Sequence, residues 1–179
     1  MEDEYVEESV RDRLILSGMA ELEEHGVSDF SLRRAAMGAQ VSCAAPYRHF
    51  KDKEDYIGAI VRYVHSKWEL LGREIERIYH DDPGRLCVEM CIASMRFRIA
   101  NPNVRSVFTL AAARGTISFD EAIIRAVGAY AAARRLTEAE AQRKTFVARA
   151  LVSGALSIMT DHVDDVLSMA RATLEEEFI

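Results

Sequence analysis

The chain has 179 residues, 49% of them hydrophobic, with three prolines and nine glycines, a balance that suits one or two helical cores and excludes a disordered or many-turned β chain. It has no run of eighteen apolar residues, and Glu2, Asp3, Glu4, Glu7 and Glu8 make its start acidic where a secretory leader is basic, so a soluble, cytoplasmic protein without a membrane partner is expected. The formal net charge of −6 argues against general affinity for nucleic acid, and the three cysteines cannot all pair, so free thiols in a reducing compartment are expected.

Alternating strand patterns and hairpin dipeptides are absent, while helix punctuation recurs throughout, so the fold class is all-α with about nine helices. The first helix is expected over about residues 7 to 25, with Val10, Leu14, Ile15, Met19 and Leu22 inward and Gly26 as its stop. Ser31 can cap a short helix reaching about Ala39, and Ser42 another reaching about Arg48. Asp52 can cap a long fourth helix whose stripe runs Ile57, Ile60, Val61, Val64, Trp68, Leu71, Ile75 and Ile78. Asp82-Pro83 and Asn101-Pro102 each read as a cap followed by proline at the first helical position. Ser118 with Glu121, and Thr137 with Glu140, fit the reciprocal capping box. A last helix is expected from near Asp161, with Val163, Val166, Leu167, Ala170, Leu174 and Phe178 on one face.

The charge is unevenly spread. Residues 31 to 53 carry Arg33, Arg34, Arg48, Lys51 and Lys53 against Asp52 alone, a local balance of +4. Screening limits the reach of distant acids to about 8 Å at physiological salt, so a phosphate meets this local charge rather than the total. The same segment holds two capped helices too short to be stable alone. A helix-turn-helix gives them a reason to exist, because its second helix offers side chains to the major groove. An ordinary helical corner with a solvated basic face is the plainer reading of those features alone.

More residues bear on the choice. An opening helix ending Glu23-Glu24-His25-Gly26, then Ser31-Leu32-Arg33, Val41-Ser42, and Tyr47-Arg48-His49-Phe50 before Lys53-Glu54, together resemble the N-terminal domain of TetR-family transcriptional regulators. The resemblance covers about the first third of the chain. It implies a three-helix DNA-binding domain over residues 1–51 and a larger helical ligand-binding and dimerisation domain over 52–179. It implies that Ser31 and Arg33 touch phosphates or groove edges, and that Ser42, Cys43, Ala44 and Ala45 stand at the exposed start of the recognition helix. Tyr47, Arg48 and His49 follow on that helix, Lys53 adds charge at the start of the fourth, and Phe50 belongs to the core. The family usually has glycine where Gln40 stands, and a left-handed backbone there costs a non-glycine residue on the order of 1 kcal/mol. The small residues at 43 to 45 lack the forks that read bases bidentately, so no operator sequence follows.

The family also implies a small-molecule effector, for which Tyr63, Trp68, Met90, Phe97, Phe108 and Tyr130 are candidate contacts, and Arg96, Arg98 and Arg114 favour an anionic group if they point inward. Each is equally readable as core or surface. Two apolar faces near the C-terminus, Val147, Leu151, Ala155 and Ile158 and then Val163, Val166, Leu167, Ala170 and Leu174, are surplus to one chain's core. A homodimer is therefore expected there, holding two recognition helices on a palindromic duplex. Cys87 and Cys91 share a helical face that could bind a soft metal or sense oxidation, with buried thiols the simpler reading. No phosphate-binding loop, nucleophile elbow or zinc signature appears, so no enzyme activity, metal or cofactor is implied. A ligand-released repressor is the expected function; a helical adaptor without DNA binding explains the helices but not the cluster at 31 to 53.

Overall fold

A computed structural model of the chain describes residues 9–101, 107, 110, 118–158 and 162–179, and among them it is helical without strands. Eight helices are described: α1 (Val10–His25), α2 (Leu32–Gly38), α3 (Pro46–His49), α4 (Lys53–Ile78), α5 (Pro83–Ala100), α6 (Glu121–Arg134), α7 (Glu138–Ile158) and α8 (Val163–Phe178). The helix expected after Asn101-Pro102 falls mostly outside the described residues. No described helix is long and apolar enough to cross a membrane.

Several ends follow the local chemistry. Ser9 caps α1 by accepting from the Asp12 N–H, and Gly26 closes it at φ 69° while donating to the Leu22 carbonyl. Asp82 accepts from the Arg85 N–H ahead of Pro83. Thr137 and Glu140 exchange backbone-to-side-chain bonds of 2.8 and 3.4 Å at the start of α7, the expected capping box. The box expected at Ser118 and Glu121 does not form. Asp120 takes the cap position of α6, and the Ser118 hydroxyl instead accepts from the Asp120 N–H at 3.3 Å.

The chain divides into two compact units, one containing the described residues up to Ser66 and the other containing Lys67–Asn101 with Ser118 onward. The long helix α4 contributes its first half to one and its second half to the other. In the first unit, α1 packs on α2 and the buried side chains Leu14, Ile15, Leu22, Phe30, Phe50, Tyr56, Ile57 and Ile60 form the core. Tyr56 stacks on Phe50 with centroids 4.0 Å apart and meets Phe30 edge-on at 5.3 Å. Its hydroxyl donates to the Leu14 carbonyl, satisfying the one polar atom this aromatic group buries. Phe50 is thus core, as expected.

In the second unit, α5 packs against α6, α7 and α8 and is buried on nearly every side, with Leu86, Cys87, Val88, Met90, Cys91, Ile92 and Met95 enclosed. Close approach at its start depends on Gly84: a Cβ there would come 2.5 Å from the Phe178 carbonyl oxygen.

This packing corrects the reading of the C-terminal stripes. Ala155, Val166, Ala170 and Leu174 are buried within the chain itself, because α7 and α8 close over α5 and one another. Val147, Leu151, Val163 and Leu167 are half-buried. The apolar side chains left in solvent are Phe146 and Ile158 on α7 and Met169 on α8.

Candidate nucleic-acid interface

Helix α2 begins at Ser31, whose hydroxyl accepts from the Arg34 N–H at 3.3 Å, so this serine is first of all a cap. The helix ends in a double closure: the Val41 N–H donates to the Ala36 carbonyl at 3.0 Å and the Gln40 N–H to the Met37 carbonyl at 3.0 Å. That pattern demands a left-handed residue between them, and Gln40 supplies it at φ 55°. The left-handed turn that suits glycine is therefore formed here by a residue that strains to occupy it.

The recognition segment is shorter than Ser42 to Arg48. Ser42–Ala45 forms a turn closed by the Ala45 N–H on the Ser42 carbonyl at 2.9 Å, and α3 proper covers only Pro46–His49. Proline at 46 has no N–H to return to Ser42, so the α-helical ladder cannot begin earlier. Ala45 and Pro46 are buried, which removes Ala45 from the exposed set expected of it.

Around that turn a polar surface remains. Arg33, Ser42, Cys43, Ala44, Tyr47, Arg48, His49 and Lys51 are exposed, Tyr47 by 68%. Not every cation nearby belongs to it. Arg34 is held by Glu21, its Nε donating to Oε1 at 2.8 Å, and it also pairs with Asp29. The Lys53 ammonium donates to the Ser28 carbonyl at 2.9 Å, pinning the loop before α2 to the start of α4. Asp52 caps α4 by accepting from the Asp55 N–H at 2.8 Å. Among the described residues, Arg33, Arg48 and Lys51 carry no such ties, and the segment offers these three cations with the hydroxyls of Ser42 and Tyr47 and the His49 ring. Such groups position phosphates. Glu21, whose role was not legible, is what separates Arg34 from its neighbour Arg33.

The effector candidates are placed as follows. Trp68, Met90 and Tyr130 are buried, Tyr63 and Phe97 half-buried, and Phe108 lies outside the described residues. Trp68 stands 5.5 Å from Phe97, and its indole N–H donates to the Phe119 carbonyl at 3.0 Å. Tyr130 instead meets Phe178 edge-on at 5.2 Å, with the Lys144 ammonium over both rings. Cys87 and Cys91 are buried free thiols, Cys43 an exposed one. Burial pushes the Cys87 thiol up to about 12 and raises Cys91 as well.

No family model and no curated protein matches the chain. Solved structures do. A Rhodococcus protein of unknown function is similar at 25% identity and TM-score 0.66, with 99% of each chain covered. A TetR transcription regulator from Haloarcula marismortui is similar at 17% identity and TM-score 0.70, over 94% of this chain and 96% of that one. The transcriptional regulator FadR from Bacillus subtilis, solved in complex with stearoyl-CoA, is similar at 14% identity and TM-score 0.66, over 93% and 96%. The chain has the fold of the TetR-type transcriptional regulators.

Proposed function

We propose that this protein is a DNA-binding transcriptional regulator that works as a homodimer and is released from a palindromic operator by a small molecule. The observation that carries the reading is the exposed set of Arg33, Arg48, Lys51, Ser42, Tyr47 and His49 around one short helix-turn-helix, where the remaining local cations are already committed. The DNA-binding module comprises residues 1–51 and the remainder is the effector and dimerisation part. Repression is the default sign.

Dimerisation uses the outer face of α7 and α8: Phe146 and Ile158 with the exposed small residues Ala150, Ser153 and Gly154 between them, and Met169 beside them. An isologous pair covers these residues and sets two recognition turns about 34 Å apart, one turn of duplex. An effector that binds one spacing better than the other shifts the equilibrium by that difference, through α4, which belongs to both units. The stearoyl-CoA complex of a regulator with this fold supports ligand control.

The test is selection from a randomised duplex pool with the full chain, followed by anisotropy titration of the recovered sequence. Recovery of an inverted repeat bound in a salt-dependent way is expected; a pool that shows no enrichment contradicts the proposal.

A further inference from the structure

The first described residue, Ser9, follows a strongly acidic stretch: Glu2, Asp3, Glu4, Glu7 and Glu8 lie between residues 2 and 8, and no basic residue lies among them. The first turn of α1 fixes where that stretch joins the first unit. The Arg11 guanidinium lies over the Phe50 ring, 5.7 Å from its centroid. Phe50 closes α3, with Arg48 and His49 just before it and Lys51 just after. The acidic stretch therefore joins the fold beside the cationic end of the recognition helix.

Arg11, Arg48 and Lys51 are exposed and bear no ion pair among the described residues. The acids that follow Lys51 are occupied: Asp52 accepts from the Asp55 N–H, and Asp55 accepts from the Lys51 N–H at 3.1 Å and stands 3.5 Å from Arg62. An extended segment over residues 2–8 reaches at most about 25 Å, ample to return from Ser9 to cations one or two residues from Phe50. A tether that short holds its anions at roughly millimolar effective concentration, so pairs that are individually weak act in number. We infer that residues 2–8 fold back onto Arg11, Arg48 and Lys51 and compete with operator phosphates for them, an autoinhibitory contact within one chain. This segment is the occupant because its charge is opposite to that of the surface and its point of attachment is beside it. The inference rests on the regulator reading for its consequence, a lowered affinity for DNA, but not for the contact itself. Salt screens the acidic arm as it screens the duplex, so the competition is strongest at low ionic strength.

Two measurements on the full chain test the contact and its consequence separately. A carbodiimide joins a carboxylate to an amine only where the two touch. Treatment at low salt without DNA should therefore link residues 2–8 to the Lys51 amine, read by mass spectrometry of the digest, and salt at about 500 mM should abolish the link. The second measurement uses a variant carrying Glu2→Gln, Asp3→Asn, Glu4→Gln, Glu7→Gln and Glu8→Gln, which alters no residue of a described helix. Its affinity for the selected duplex should exceed that of the wild type by roughly tenfold at about 50 mM salt and converge on it at about 500 mM. Absence of the Lys51 link overturns the inference, and a gain in affinity without that link means repulsion at a distance and overturns it too. Equal, measurable affinity of the two forms at low salt overturns the competition. A Lys51 link in a chain of which neither form binds the duplex overturns the regulator reading alone and supports the intramolecular contact.

Discussion

Glu21 of α1 and Arg34 of α2 form the pair that fixes the first two helices: Glu21 Oε1 accepts from Arg34 Nε at 2.8 Å and from the Ser31 N–H at 2.9 Å. One buried carboxylate therefore holds both the cap residue of α2 and a cation of its first turn. Burial alone would raise the Glu21 pKa, but the bonds from Arg34 and Ser31 outweigh it and hold the group below its ordinary value of 4.5.

A carboxylate lowered in this way stabilises the folded state above its unfolded pKa, and the contribution is lost as pH falls through the lower folded value. Glu21→Leu orphans the Ser31 N–H and should lower the unfolding free energy by about 1–3 kcal/mol at neutral pH. Denaturant melts at several pH values check this: the gap between wild type and variant should narrow below pH 4.5. A gap independent of pH would show that packing, and not the ion pair, is lost.

Gln40 gives the opposite sign. Its φ of 55° is set by the double closure of α2, and glycine adopts that conformation without the Cβ clash. Gln40→Gly should stabilise the protein by about 1 kcal/mol, read as a shift in the denaturant midpoint. A destabilised variant would mean that the glutamine side chain contributes more than its backbone costs.

The three thiols should react unequally. Cys43 is exposed, whereas Cys87 and Cys91 are buried with raised pKa values, so thiolate is scarce and inaccessible at both. A disulfide reagent should modify one cysteine in the native protein and all three in denaturant. Rapid modification of a second native thiol would contradict the packing of α5.

Helix ends were legible where the chemistry is local: Ser31, Asp52, Asp82 and the Thr137–Glu140 pair each bond a backbone N–H three residues away. Legibility failed where a distant partner decides. Asp120 and not Ser118 stands at the cap of α6, and its carboxylate bonds no backbone N–H there but accepts from Arg149, 29 residues on in sequence. Periodicity correctly marked Val166, Ala170 and Leu174 as one apolar face, but it cannot say whether that face meets α5 or another copy. Pro46 was visible, yet the capping capacity of the Ser42 hydroxyl suggested a helix that proline does not permit to begin there. The exposed character of Arg33, Tyr47 and Arg48 was legible, and the withdrawal of Arg34 was not.

The dimer proposal separates exposed from buried apolar residues. Phe146→Glu combined with Gly154→Arg should give a folded monomer by sedimentation with helicity retained, since both sites face solvent in the single chain. Leu174→Glu places a charge in the core and should unfold the second unit. A double variant that stays dimeric would move the interface elsewhere.

The most direct test of DNA binding through the α2–α3 surface is the salt dependence of affinity for the selected duplex, measured for Arg33→Ala and Arg34→Ala side by side. Arg33 is exposed and untied, so its removal should weaken binding and reduce the slope of log K against log salt by about 0.9, one phosphate contact. Arg34 is spent on Glu21, so its removal should cost stability and leave the slope unchanged. An unchanged slope in Arg33→Ala, or a slope reduced only in Arg34→Ala, would contradict the assignment of this surface to DNA.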